Sequence, residues 1–122
     1  DGTTWLWPAG ESPTSRRHAI ENRVRLLAPF DPIVWERRRF ETFWGWSYRF
    51  EAYTPAAKRV RGYYALPMLW RDAVIGWATV AVKDGTMLPT LGYVDGRAPR
   101  DRAFHTALEA ELADLRRCLG VQ

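Results

Sequence analysis

Cysteine occurs once in these 122 residues, at Cys118. A single thiol excludes an internal disulfide and any cysteine-cluster zinc site. Its helical spacing from Leu115, beside Leu119, reads as a half-buried structural thiol. Histidine occurs twice, so a Ser-His-acid triad would have to use His18, in a polar loop, or His105, with no obvious nucleophile nearby. No HExxH, GxGxxG or Walker-type loop is present. Glu36, Glu41, Glu109 and Glu111 have arginines close in sequence and read as ion-pair partners, not as tuned acids. No signal peptide appears and no apolar run is long enough to span a bilayer, so no membrane partner is expected and cytoplasm is the expected compartment. The chain is therefore expected to carry no catalytic, metal-binding or cofactor-binding residue of its own.

What is present is arginine and aromatic surface. Lys58 and Lys83 are the only lysines among 18 basic residues, and the net charge is +4. That excess suits a polyanionic partner, although a genome favouring arginine codons would produce the same balance. Aromatic residues make up 14% of the chain, with seven tryptophans, enough for either a thick core or an adhesive surface. The length fits one domain that needs no metal or disulfide.

Residues 1–22 are loop-rich, with Trp5 and Trp7 placed to lay two indoles on the body as a short strand. Residues 23–122 read as a single domain. A strand is expected over 23–28. Asp31 and Pro32 then form an N-cap and first helical position, opening a helix over 32–44 that Gly45 closes. Residues 47–54 alternate, with Tyr48, Phe50 and Ala52 opposite Arg49, Glu51 and Tyr53, as in a half-buried strand. A strand over 61–70 contains Pro67, which marks a bulge or an edge. The long strand over 73–83 has Gly76 at a point where it can bend sharply. Asp84 and Gly85 signal a hairpin into 86–94. From about 100 to 119 the stripe Phe104, Ala107, Leu108, Leu112, Leu115 and Leu119 predicts an amphipathic helix. The expected fold is α+β: a bent antiparallel sheet of about five strands, open or closing into a small barrel, with two flanking helices.

The candidate binding residues lie in the first half. Lys58, Arg59 and Arg61 gather at a chain connection, where side chains and backbone can reach a phosphate together, and Tyr63 follows as a ring that could stack on a base or simply cover the sheet. Arg37, Arg38 and Arg39 sit on a helix, where consecutive residues turn about 100° apart, so they cannot share one face. At least one is expected to pair with Glu36 or Glu41.

Three colinear pieces carry a family resemblance: LLAPFDPIVWERRRF, then WGWSYRFEAYTPAAKR, then GYYALPMLW with IGW following. Spanning Leu26 to Trp77, they resemble the winged-helix DNA-binding proteins of the DNA glycosylase family that repairs alkylated and crosslinked DNA, the YcaQ/AlkZ type. The resemblance implies tandem winged helices followed by a C-terminal β-barrel-like region, which this chain matches. It also implies double-stranded DNA as partner, N-terminal winged-helix domains of the same chain and a place at the nucleoid. The family's catalytic glutamines lie in the N-terminal part, and the only glutamine here is Gln122. After Gly76, where the family pattern has an arginine and an acidic residue two positions on, this sequence has Trp77 and Thr79. Residue 1 is Asp, not Met, so a longer polypeptide is expected. The expected role is a non-catalytic DNA-binding domain that grips backbone phosphates. The alternatives are a purely structural interdomain or oligomerisation module without DNA contact, and a barrel holding a small apolar ligand.

Overall fold

The structure is a computed structural model that describes residues 2–122; residue 1, and the expectation drawn from its identity, lies outside the described residues. Four strands pair antiparallel in chain order: β1 (Val24–Leu26), β2 (Leu66–Trp70), β3 (Ala73–Lys83) and β4 (Thr86–Tyr93). Three α-helices complete the α+β fold: α1 (Pro32–Trp35), α2 (Arg37–Trp44) and α3 (Arg102–Leu119). The sheet is open, with β1 and β4 at opposite edges, so the expected closure into a barrel is corrected.

The fifth strand, expected over 47–54, does not form. Its alternation is broken at Glu51, which is buried beside exposed Tyr53 and Arg49. β2 already has β1 on one side and β3 on the other, so a further strand has nowhere to pair next to it. Residues 61–65, expected at the start of a strand, belong instead to the loop that wraps Glu51, and β2 begins at Leu66.

The single helix expected over 32–44 is two. Asp31 caps α1 through the amide of Ile33 at 2.8 Å, with Pro32 first in the helix. Glu36 then leaves helical geometry and uses both carboxylate oxygens to accept from the amides of Arg38 and Arg39, at 3.3 and 2.6 Å. A side chain that caps a new helix start breaks the old one. Hence three helices flank the sheet where two were expected.

The Asp84–Gly85 turn has both residues at positive φ, 50° and 74°, as the favoured two-residue hairpin turn requires. Gly76 lies opposite Met68 and Val74 opposite Leu69, so Ile75 is an extra residue in β3. A Cβ at Gly76 would lie 2.1 Å from the carbonyl oxygen of Gly92, so only glycine fits this bulged crossing. Pro67 is in an interior strand, not at an edge. Its carbonyl accepts from Leu27 just past the end of β1, where the missing N–H has no strand partner to lose.

Each face of the sheet has its own core. On one, α3 sets Phe104, Leu108 and Leu112 against Val24, Met68, Trp70 and Met87. Asp101 caps this helix through the amide of Ala103, and Gly120 ends it. Leu119, at the end of the expected stripe, is exposed, and so is Cys118, which corrects its half-buried reading. Glu111 on α3 accepts from the amide of Leu26 at 2.8 Å and thereby holds β1 to the helix. On the other face, Leu27, Val34, Phe40, Tyr48, Ala65 and Val74 form a second core roofed by Trp44, Trp46, Leu69 and Trp77. The N-terminal segment forms no strand at Trp5 and Trp7; Trp5 stacks on Phe43 with centroids 5.1 Å apart, and Trp7 is exposed.

Candidate nucleic-acid interface

Residues 45–65 connect α2 to β2 without regular pairing, and side chains hold the loop in place of a strand ladder. The Trp46 indole donates to the carbonyl of Val74 at 2.8 Å, and the Tyr48 hydroxyl to that of Ala65 at 2.8 Å. Glu51 is the centre. Its carboxylate accepts from the amides of Val60, Arg61 and Gly62 at 2.8, 2.7 and 3.1 Å. Successive amides aimed at one point form an anion-binding concavity, and here the chain fills it with its own carboxylate. Burial pushes the Glu51 carboxyl's pKa up, but the three amides and the Arg61 guanidinium outweigh it and hold the group below its ordinary value. Burial, with Tyr64 and Glu51 nearby, pushes the Tyr48 hydroxyl up to about 12, against an opposing pull from Arg61.

Arg61 is drawn into the same knot. Its guanidinium lies 5.2 Å from the Trp46 ring and 5.1 Å from the Trp77 ring, between two indoles. Its Nε is buried with no hydrogen-bond partner, so the rings are its main surroundings. Lys58 is exposed on the 3-10 turn Ala56–Lys58. Arg59 is half-buried, its Nε donates to the carbonyl of Thr54 at 2.8 Å, and its guanidinium lies 4.9 Å from the ring of Tyr63. The structure thus brings Lys58, Arg59, Arg61 and Tyr63 to one loop and turns Arg61 inward.

Between Gly45 and Trp70 the only carboxylate is Glu51, and it is buried. Arg49, Lys58 and Arg59 therefore face outward with no exposed acid in their own segment. On α2 the three arginines diverge as helical spacing dictates. Arg37 and Arg38 are exposed, while Arg39 is half-buried and donates to the carbonyl of Pro32. Among the described residues no ion pair joins them to Glu36 or Glu41; the expected pairing is corrected because the Glu36 carboxylate is occupied by backbone amides.

Arg37 also borders a cleft of about 110 Å³ lined by Phe30, Trp35, Tyr48 and Phe50. Phe50 links this cleft to the loop. Its ring centroid is 5.4 Å from Phe30, 6.3 Å from Tyr53 and 5.1 Å from Tyr64, each pair edge to face. A separate hollow of about 610 Å³, lined by Tyr93, Asp95, Arg97 and Arg100 among others, shares no residue with this region. Among the described residues no group of three His, Cys, Asp or Glu side chains is placed to hold a metal ion.

The family model described as DNA glycosylase AlkZ-like matches residues 1–118. The chain belongs to this family. No solved structure matches it. The AlkZ-like match takes in α3 and the β3–β4 hairpin as well as the stretch from Leu26 to Trp77, so the fold described above is a DNA-repair-related domain of that family. No helix in the described residues is long and apolar enough to cross a membrane.

Sequence reasoning did not find Glu51, Trp46 or Trp77 as parts of this site. The available signal was a lone carboxylate in a stretch that otherwise holds only cations. The Trp77 indole receives the guanidinium of Arg61.

Proposed function

We propose that this chain is a non-catalytic DNA-contacting domain of an AlkZ-like repair protein. It grips duplex DNA through backbone phosphates, without sequence preference. One observation carries the reading: the only acid of the 45–70 segment is buried and its carboxylate is engaged by backbone amides, so the charged side chains this segment shows to solvent are all positive. Lys58, Arg59, Arg37 and Arg38 are the phosphate contacts, with Tyr63 beside them. Arg61 and Arg39, tied inward, position the others. Excision chemistry belongs to winged-helix domains N-terminal to this one, at the nucleoid in the cytoplasm.

The Lys58→Ala, Arg59→Ala double variant tests this. It is expected to weaken binding of labelled duplexes by about tenfold, and equally for unrelated sequences, because phosphate contacts carry no base information. Unchanged affinity would remove the loop from the interface. A second reading is a scaffold whose exposed rings, among them Trp35 at 71% and Tyr53 at 92% exposure, dock against another domain. It expects self-association of the chain and indifference to DNA.

A further inference from the structure

We infer that the aromatic patch beside the basic loop is a stacking platform for unpaired bases, so that the domain prefers single-stranded DNA over intact duplex. This rests on the DNA-contact reading above and specifies the form of DNA. The patch is built from Phe30, Trp35, Phe50, Tyr53, Tyr63 and Tyr64. Five of the six are exposed, and half-buried Phe50 ties Phe30, Tyr53 and Tyr64 together. The interplanar angles about Phe50 are 67°, 86° and 89°, so none of these pairs is stacked face to face. An edge-to-face pair covers at most one face of one ring, so Phe30, Tyr53 and Tyr64 each keep a face that Phe50 does not cover.

Leaving so many rings in water is unfavourable unless something covers them. Two observations select a nucleic acid strand as the occupant. The cations are interleaved with the rings: Arg37 borders the cleft of Phe30, Trp35 and Phe50, and Arg59 lies over Tyr63. The 45–70 segment, which carries Phe50, Tyr53, Tyr63 and Tyr64, shows no exposed carboxylate, and beside Phe30 and Trp35 the carboxylates of Asp31 and Glu36 are engaged by helix-start amides, so the free charges nearest the rings are cationic and complement a polyanion. An intact duplex hides its base faces and offers these rings only sugar and phosphate. A single strand offers both phosphate for the arginines and bases for the rings.

The test compares a labelled thymidine homopolymer of about 12 nucleotides, within the usual span of such sites, with a duplex of the same length. Fluorescence anisotropy is read for the wild type, Trp35→Ala and Tyr53→Ala. Both side chains lie mostly in solvent, and unchanged thermal unfolding confirms that the variants fold. The single strand is expected to bind about tenfold tighter than the duplex, and each variant to lose about tenfold on the single strand with little change on the duplex. Equal affinities for the two forms, unaffected by either substitution, would overturn the stacking platform and leave phosphate-mediated duplex binding standing. A wild-type chain that dimerises, with both variants monomeric and no single-strand preference, would assign the patch to protein contact and overturn the inference too. Failure to bind either form would remove both readings.

Discussion

Glu51 is one carboxylate on which a whole loop depends. Replacing it with alanine leaves three part-buried amides without their acceptor, at a cost of about 2 kcal/mol. Glu51→Gln keeps an acceptor and loses the charge, so its cost is smaller. The folded-state pKa lies below the ordinary 4.5, so the stabilisation is fully present above that value and is lost as pH falls through the lower folded-state value. Thermal unfolding from pH 7 downward should show the wild type losing its advantage over Glu51→Gln in that acidic window. A difference independent of pH would show that the carboxylate's charge is not what holds the loop. Local chemistry at single residues was legible beforehand: Asp31, Gly45, the Asp84–Gly85 turn and Gly120 cap or turn where their sequence neighbours say they should. Glu51 and Arg61 were not, because their partners lie on other segments and no local pattern encodes a buried carboxylate meeting distant amides or a guanidinium between two indoles.

At the scale of elements, β3 tolerates no side chain at Gly76, where it bulges against β2 and β4 lies close on its other side. Gly76→Ala would drive a Cβ into the Gly92 carbonyl, and backbone cannot yield as a flexible side chain can. Destabilisation above about 4 kcal/mol is expected in urea unfolding; a loss below 1 kcal/mol would mean the strands can separate there at little cost. The β3–β4 hairpin could be read because its strands are adjacent in sequence, and α3 because its apolar stripe repeats at helical spacing whatever it packs on. The 47–54 stretch has the same alternation as β3 and no strand at all. Alternation reports which side chains want burial, but a strand also needs backbone partners, and here Glu51 folds the stretch onto the amides of residues 60–62 instead. The helix break at Glu36 escaped for a related reason, since a glutamate inside a helical run and a glutamate capping a second helix look alike in sequence.

As a whole, the molecule is a sheet with a different task on each face. α3 seals one side with an apolar core and pins β1 through Glu111. The other side carries the tryptophan-roofed core, the Glu51 knot and, beyond them, the basic and aromatic surface. The α+β class, the basic cluster and the family kinship were visible from residues alone. Openness of the sheet was not, because closure depends on how edges meet and not on how many strands the pattern suggests. The outward-facing positive charge belongs to this scale as well, since it exists only once the fold has buried the one acid of its segment. The most direct measurement is duplex affinity as a function of salt for the wild type and for the Lys58→Ala, Arg59→Ala variant. The wild type should lose affinity linearly on a log–log plot, and the variant's slope should be shallower by about 2, one for each phosphate contact removed. Identical slopes would contradict DNA contact through this loop, and wild-type binding that ignores salt would contradict phosphate contact altogether.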